Sequence, residues 1–207
     1  MNATTIPDSL SPEAQRQRIR SGRLKMLAIL LVCAAPVIAS YFTYYIIRPE
    51  GRTNYGTLMA PLREVVLGGE RLDGSPLALA DLRGKWLLVT GAGARCDEAC
   101  EHRLYLLRQL RLTTGKERDR IERLWVIEPG TQVSPALLAE HDGLVVMRAA
   151  EGAMAAGGFA AGASGVAGDH IWIVDPLGNL VFRYPVDPDP SRMKKDLLKL
   201  LKASRIG

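Results

Sequence analysis

The sequence predicts an α/β domain with a mixed central sheet, preceded by one N-terminal transmembrane helix. Three observations carry this. An uncharged run of 22 residues, Met26 to Ile47, lies between Lys25 and Arg48. Continuous apolar runs such as Trp86–Thr90 and Leu124–Glu128 alternate with amphipathic helical stretches. A strand–turn–strand signal, Ile171–Val174 and Leu180–Tyr184 around Asp175-Pro176-Leu177-Gly178-Asn179, then precedes a last helix. A strand–helix–strand crossover requires a parallel pair and a hairpin an antiparallel one, so the sheet must be mixed.

The N-terminal run is long enough for a bilayer core, and Tyr41, Tyr44 and Tyr45 gather at the end where amphipathic rings favour the interface. Residues 1–25 hold five basic and two acidic residues, so +3 of the net +5 sits on this tail. A basic flank before the span predicts a cytoplasmic N-terminus and an exported C-terminal part, which in a bacterium means a single-pass inner-membrane protein with a periplasmic domain. The alternative is a cleaved signal peptide, with Val37-Ile38-Ala39 as a weak small-residue site, but the apolar run continues eight residues past Ala39. The other 182 residues carry only +2, too little for a phosphate-tracking stripe, so nucleic acid is not an expected partner.

Residues 48–62 combine Pro, Gly and Asn without periodicity and read as a tether, with the folded domain over 63–207. Its expected elements begin with a short strand Glu64–Gly69, an Asp73-Gly74 turn, a short apolar segment Leu77–Leu82 and the buried strand Trp86–Thr90. A helix follows from about Cys96 to Thr114, with Leu104, Leu106, Leu107 and Leu110 on its apolar stripe and Gly115 as its stop. Then come strand Leu124–Glu128, a short helix Pro135–Glu140 and strand Leu144–Arg148. Residues 149–168 contain nine Ala and six Gly and suit a loop, either a lid or a bland spacer, with at most a weak helix. The closing helix Ser191–Ser204 takes Ser191 as its expected N-cap and turns Leu197, Leu198, Leu200 and Leu201 inward.

Chemistry is expected at Cys96 and Cys100. They stand four residues apart after a buried strand, at a helix start, on the oxidising side of a membrane. Arg95 favours the thiolate, while Asp97 and Glu98 oppose it. The pair suits an inert disulfide, a redox dithiol or a soft-metal site. A bridge closing so small a loop restrains the unfolded chain little, which argues against a purely stabilising role. As a redox pair, Cys96 is the expected nucleophile and Cys100 the resolving thiol. Two thiolates and one imidazole also suit Cu(I). His102 falls on another helix face and is expected to be solvated, and His141 falls at a surface turn; His170, at a strand entry, is either a solvated edge residue or, with the two thiolates, a third ligand. Cys33 lies in the span as a small apolar side chain. Met147 and Met154 could offer thioethers but fit core or loop positions better.

The run Leu77–Thr90, the Cys96-x-x-x-Cys100 spacing, and Asp169-His170 ahead of Ile171–Asn179 resemble the Sco/SenC proteins, membrane-anchored thioredoxin-like copper proteins that help assemble the CuA centre of cytochrome c oxidase. The resemblance covers about Glu64 to Gly207. It implies a thioredoxin-like fold, copper as Cu(I) on Cys96, Cys100 and His170, and a dithiol–disulfide cycle of the same cysteines. The implied partners are the oxidase subunit carrying CuA, other copper chaperones and thiol reductants. Asp97 and Glu101 stand where the family usually has proline, and Gly91-Ala92-Gly93-Ala94-Arg95 replaces its aromatic-Thr lead-in, so the resemblance is to a divergent member. Metal-free thiol–disulfide oxidoreductase activity and a tethered assembly scaffold with a decayed site remain as alternatives.

Overall fold

In the computed structural model, residues 12–47, 54–93, 95–159 and 166–206 are described. The tail up to residue 11, residues 48–53 of the expected tether and residues 160–165 of the Ala/Gly tract lie outside them. The chain divides into two units, Met1–Arg52 and Thr53–Gly207. The first holds helix α1, Pro12–Phe42, which continues as a π-helical turn over Thr43–Ile47. Its candidate membrane span, Ile19–Tyr45, is long enough to cross a membrane and takes in Arg20, Arg23 and Lys25 ahead of the charge-free run.

The second unit is built on an eight-stranded sheet. Its strands are β1 (Thr57–Glu64), β2 (Gly68–Glu70), β3 (Pro76–Ala78), β4 (Trp86–Ala92), β5 (Ile121–Ile127), β6 (Leu144–Arg148), β7 (Trp172–Val174) and β8 (Asn179–Arg183), in the order β1-β8-β7-β4-β5-β6-β2-β3. The centre, β4-β5-β6, is parallel; β7, β8 and β1 extend one side antiparallel, with β2 and β3 on the other. Helices α2 (Glu98–Thr113), α3 (Pro135–Glu140) and α4 (Pro190–Ala203) complete the unit.

Strand alternation sorts the core into two faces. Leu87, Val89, Leu124, Val126, Trp172 and Val174 point to one side, while Trp86, Leu88, Ile121, Ile171 and Ile173 meet Leu106, Leu107 and Leu110 of α2 and Met193, Leu197 and Leu201 of α4 on the other. The Ala/Gly tract covers the first face. Phe159 is fully buried, edge-on to Trp172, and Met154 and Ala167 pack beside it. The small residues permit close approach: a Cβ on Gly157 would sit 2.5 Å from the Val66 carbonyl oxygen. The described part of the tract is therefore a structural cover rather than a bland spacer.

Four expectations change. Residues Thr57–Leu62, read as tether, belong to β1 and pair with β8; Pro61 is tolerated on this sheet edge, where its missing N–H breaks no ladder. Residues Val65–Leu67 separate β1 from β2, so no single strand runs over Glu64–Gly69. Asp189, not Ser191, caps α4, its carboxylate accepting from the Ser191 and Arg192 amides. Leu198 is 38% exposed, and Met193 instead takes an inward position one turn before Leu197. The chain entering β1 is fastened to α4: buried Asp196 accepts the Tyr55 and Gly56 amides at 2.8 and 2.9 Å.

Candidate functional site

Strand β4 ends at Ala92, and the chain turns through Gly93 and Arg95 into Cys96. Helix α2 begins at Glu98 rather than Cys96. Asp97 is its N-cap, and the Asp97 carboxylate accepts the Cys100 amide at 2.9 Å. Cys96 thus precedes the helix and Cys100 lies in its first turn. The two form a disulfide with Cα atoms 5.1 Å apart. Cys96 is half-buried, whereas Cys100 is 1% exposed and packs with Leu104, Trp125, Ile127 and Val146. Cys96 is therefore the more accessible of the two sulfurs. The carboxylate on the helix start removes one amide that would otherwise favour a Cys100 thiolate.

His170 lies on the segment leading into β7. The Thr90 hydroxyl, within β4, lies 3.2 and 3.1 Å from the Gly168 and His170 carbonyls and pins that segment to the strand that leads to the cysteines. A Cβ on Gly91 would fall 2.7 Å from Gly168 Cα, so this backbone crossing needs glycine. The ring of His170 is 6% exposed, edge-on to Trp172, and its Nδ1 lies 2.8 Å from the Tyr184 carbonyl oxygen. A carbonyl can only accept, so Nδ1 carries a proton and, in the neutral ring, Nε2 holds the lone pair. That Nε2 is buried and has no hydrogen-bond partner among the described residues. The Tyr184 phenol is buried too, and burial, then the nearby Asp196 carboxylate, push its pKa well up.

Asp169 does not orient the imidazole; the backbone carbonyl of Tyr184 does. Asp169 pairs with Arg103 at 3.6 Å, joining α2, one turn past Cys100, to the residue before His170. Arg103 is 4% exposed, and nothing in the sequence marked it beyond its place next to Leu104 of the apolar stripe. Thr90 and Tyr184 left no sequence signal, since their roles run through long-range backbone contacts.

A histidine with Nδ1 tied to a carbonyl and a free buried Nε2 is set up as a ligand for a soft metal ion. The sulfurs are committed to each other, and among the described residues no three His, Cys, Asp or Glu side chains are grouped to hold an ion. Met147 is fully buried in the core and Met154 is 8% exposed against Gly91, both packing residues. His102 is exposed as expected. His141 is 4% exposed, not on the surface, because the turn after α3 folds it beneath α2. Burial, then the Arg108 and Arg123 charges, lower its pKa.

Solved structures share this fold. The Sco1 protein from Thermus thermophilus, in its apo form, matches with TM-score 0.56 at 21% identity over 73% of this chain and 99% of that one. Yeast Sco1 with copper bound gives 0.56 at 16% identity, covering 70% and 96%. A thiol:disulfide interchange protein from Bacteroides sp. gives 0.50 at 16% identity, covering 72% and 91%. These likenesses establish the thioredoxin-like fold. No curated protein matches in sequence. The family model described as transmembrane-like, thioredoxin-like, C-terminal domain matches residues 86–204, from the first residue of β4 to just past α4 and including both cysteines and His170. Because that match takes in more than half of the chain, this protein belongs to the transmembrane-like, thioredoxin-like C-terminal domain family.

Proposed function

We propose that this is a membrane-tethered, Sco-like protein whose Cys96–Cys100 pair cycles between disulfide and dithiol, and whose dithiol, with His170, carries Cu(I) for assembly of a CuA site. The observation that best supports copper over bare redox exchange is the buried, unpartnered Nε2 of His170, since a purely redox pair has no use for an oriented imidazole lone pair. The anchor and its basic flank favour a cytoplasmic N-terminus and an exported domain in the periplasm, beside the inner membrane.

Reduction frees the two sulfurs, and the chain's own residues then set the site. Tyr184 fixes the tautomer of His170, Trp172 packs against its ring, and Thr90 anchors its segment to β4. Arg103 pairs with Asp169. Cu(I) is cargo, passing to an acceptor when a thiolate of that acceptor displaces one of the three donors. The CuA-bearing oxidase subunit is the proposed acceptor.

A second reading, thiol–disulfide exchange without metal, is favoured by the disulfide itself and by the half-exposure of Cys96. Anaerobic titration of the reduced full-length protein separates the two. About one Cu(I) is expected per chain; Cys96→Ser abolishes tight binding, and His170→Ala weakens it by at least about 100-fold, more than loss of an outer-shell partner. Equal affinity in the wild type and His170→Ala overturns the copper assignment and leaves the dithiol reading.

A further inference from the structure

Cys96 opens onto a cleft of about 520 Å3, lined also by Arg95, Glu101, Gly130, Gln132, Ser134 and Leu137. That size suits a small ligand. One wall, the loop after β5, is held in place: the Thr131 hydroxyl donates to the Gly93 carbonyl at 3.0 Å, and Arg148 donates to the Thr131 carbonyl. Cys100 is not among the lining residues. The side chains of Arg95, Glu101, Gln132 and Ser134 form no hydrogen bond or ion pair among the described residues, so a basic and an acidic side chain with unused pairing capacity line the same cleft as the half-buried sulfur.

We propose that this cleft receives a small zwitterionic thiol, of the class of free cysteine or glutathione, as the reductant of the disulfide. This rests on the reading that the pair cycles. The α-carboxylate of the thiol pairs with Arg95, its ammonium with Glu101, and its sulfur meets Cys96. Two unlike charges within one small cleft match a molecule carrying both, whereas a mid-chain cysteine of a polypeptide has neither a free α-amino group nor a free α-carboxylate. The incoming thiolate attacks Cys96 Sγ. A new S–S bond forms as the Cys96–Cys100 bond breaks, and its electron pair leaves on Cys100 Sγ, which takes a proton from water. A second molecule of the thiol, as thiolate, attacks the sulfur of the first. The small disulfide departs and Cys96 is left as a thiolate. Two thiols are oxidised to one disulfide, and the protein gains two electrons.

The test uses the full-length protein in detergent with its disulfide intact. Opening is followed by thiol counting and by the mass of the mixed disulfide. The probes are cysteine, glutathione, cysteamine (no carboxylate), 3-mercaptopropionate (no ammonium) and 2-mercaptoethanol (neither), with rates compared per thiolate. Exposed ion pairs contribute modestly, so each matched charge should be worth about threefold, and cysteine should outpace 2-mercaptoethanol about tenfold. Arg95→Ala should remove the advantage of the carboxylate probes alone, and Glu101→Gln that of the ammonium probes alone. Equal rates for all probes, or an Arg95→Ala variant that slows every probe by the same factor, overturn the proposal while leaving the cycle intact. If no thiol opens the bond, dithiothreitol included, the cycle itself fails and the proposal with it.

Discussion

Asp97 does two opposed things at the disulfide. Its carboxylate caps α2 through the Cys100 amide, and its negative charge beside the sulfurs disfavours a thiolate. Asp97→Asn keeps a capping oxygen and removes the charge. Stability should stay near that of the wild type, the thiol pKa values should fall, and the reduction potential should rise by about 10–20 mV, as expected for a stabilisation of the dithiol by somewhat under 1 kcal/mol. Asp97→Ala should instead lower stability by about 1 kcal/mol, read in denaturant unfolding. A potential unmoved in Asp97→Asn would show that the charge is screened. The cysteine pair and its spacing were legible as residues, and so was His170. The tautomer of the imidazole was not, because it is fixed by the carbonyl of Tyr184, fourteen positions away.

Among the elements, the two caps distinguish local reading from tertiary outcome. The expected cap of α4 was Ser191, yet Asp189 supplies the oxygen, since Pro190 at the first helical position moves the start one residue earlier. Asp189→Ala should cost about 1 kcal/mol and Ser191→Ala close to nothing in equilibrium unfolding. The Ala/Gly tract is the other instructive element. Periodicity had nothing to report there, because a segment of Ala and Gly has too little contrast between apolar and polar positions. The packing of its described part comes from one large side chain, Phe159, and from tight contacts that only glycine permits. Phe159→Ala should destabilise the domain by about 3–5 kcal/mol, while Gly158, with open space at its Cβ position but φ of 107°, should tolerate alanine only with backbone strain. A Phe159→Ala loss below about 1 kcal/mol would return the tract to the status of a spacer.

At the scale of the whole molecule, His141 couples stability to pH. It sits under α2, with Arg108 and Glu101 on that helix, Arg123 on β5 and Glu140 on α3 acting on it, and its folded pKa lies below the ordinary value because of burial first and the two arginines second. The unfolded chain therefore binds this proton more readily than the native one. The contribution is fully present above about pH 6.5 and lost as the pH falls below that value. Thermal unfolding should show Tm rising from pH 5 to 7.5, with a shallower slope in His141→Gln. Identical slopes would show that other groups dominate the acid side.

From composition and pattern alone came the run long enough to span a membrane, the parallel centre, the antiparallel hairpin and the cysteine pair, because these depend on length, period and spacing within short stretches of chain. Tertiary structure decided that β1 is a strand, that Asp196 fastens the entering chain to α4, that Arg103 takes Asp169 and that Cys96 faces a charged cleft. Each of these is a contact between distant segments. A local pattern specifies which face of an element is apolar, but the partner found by a polar group depends on where the packed layers bring the chain together.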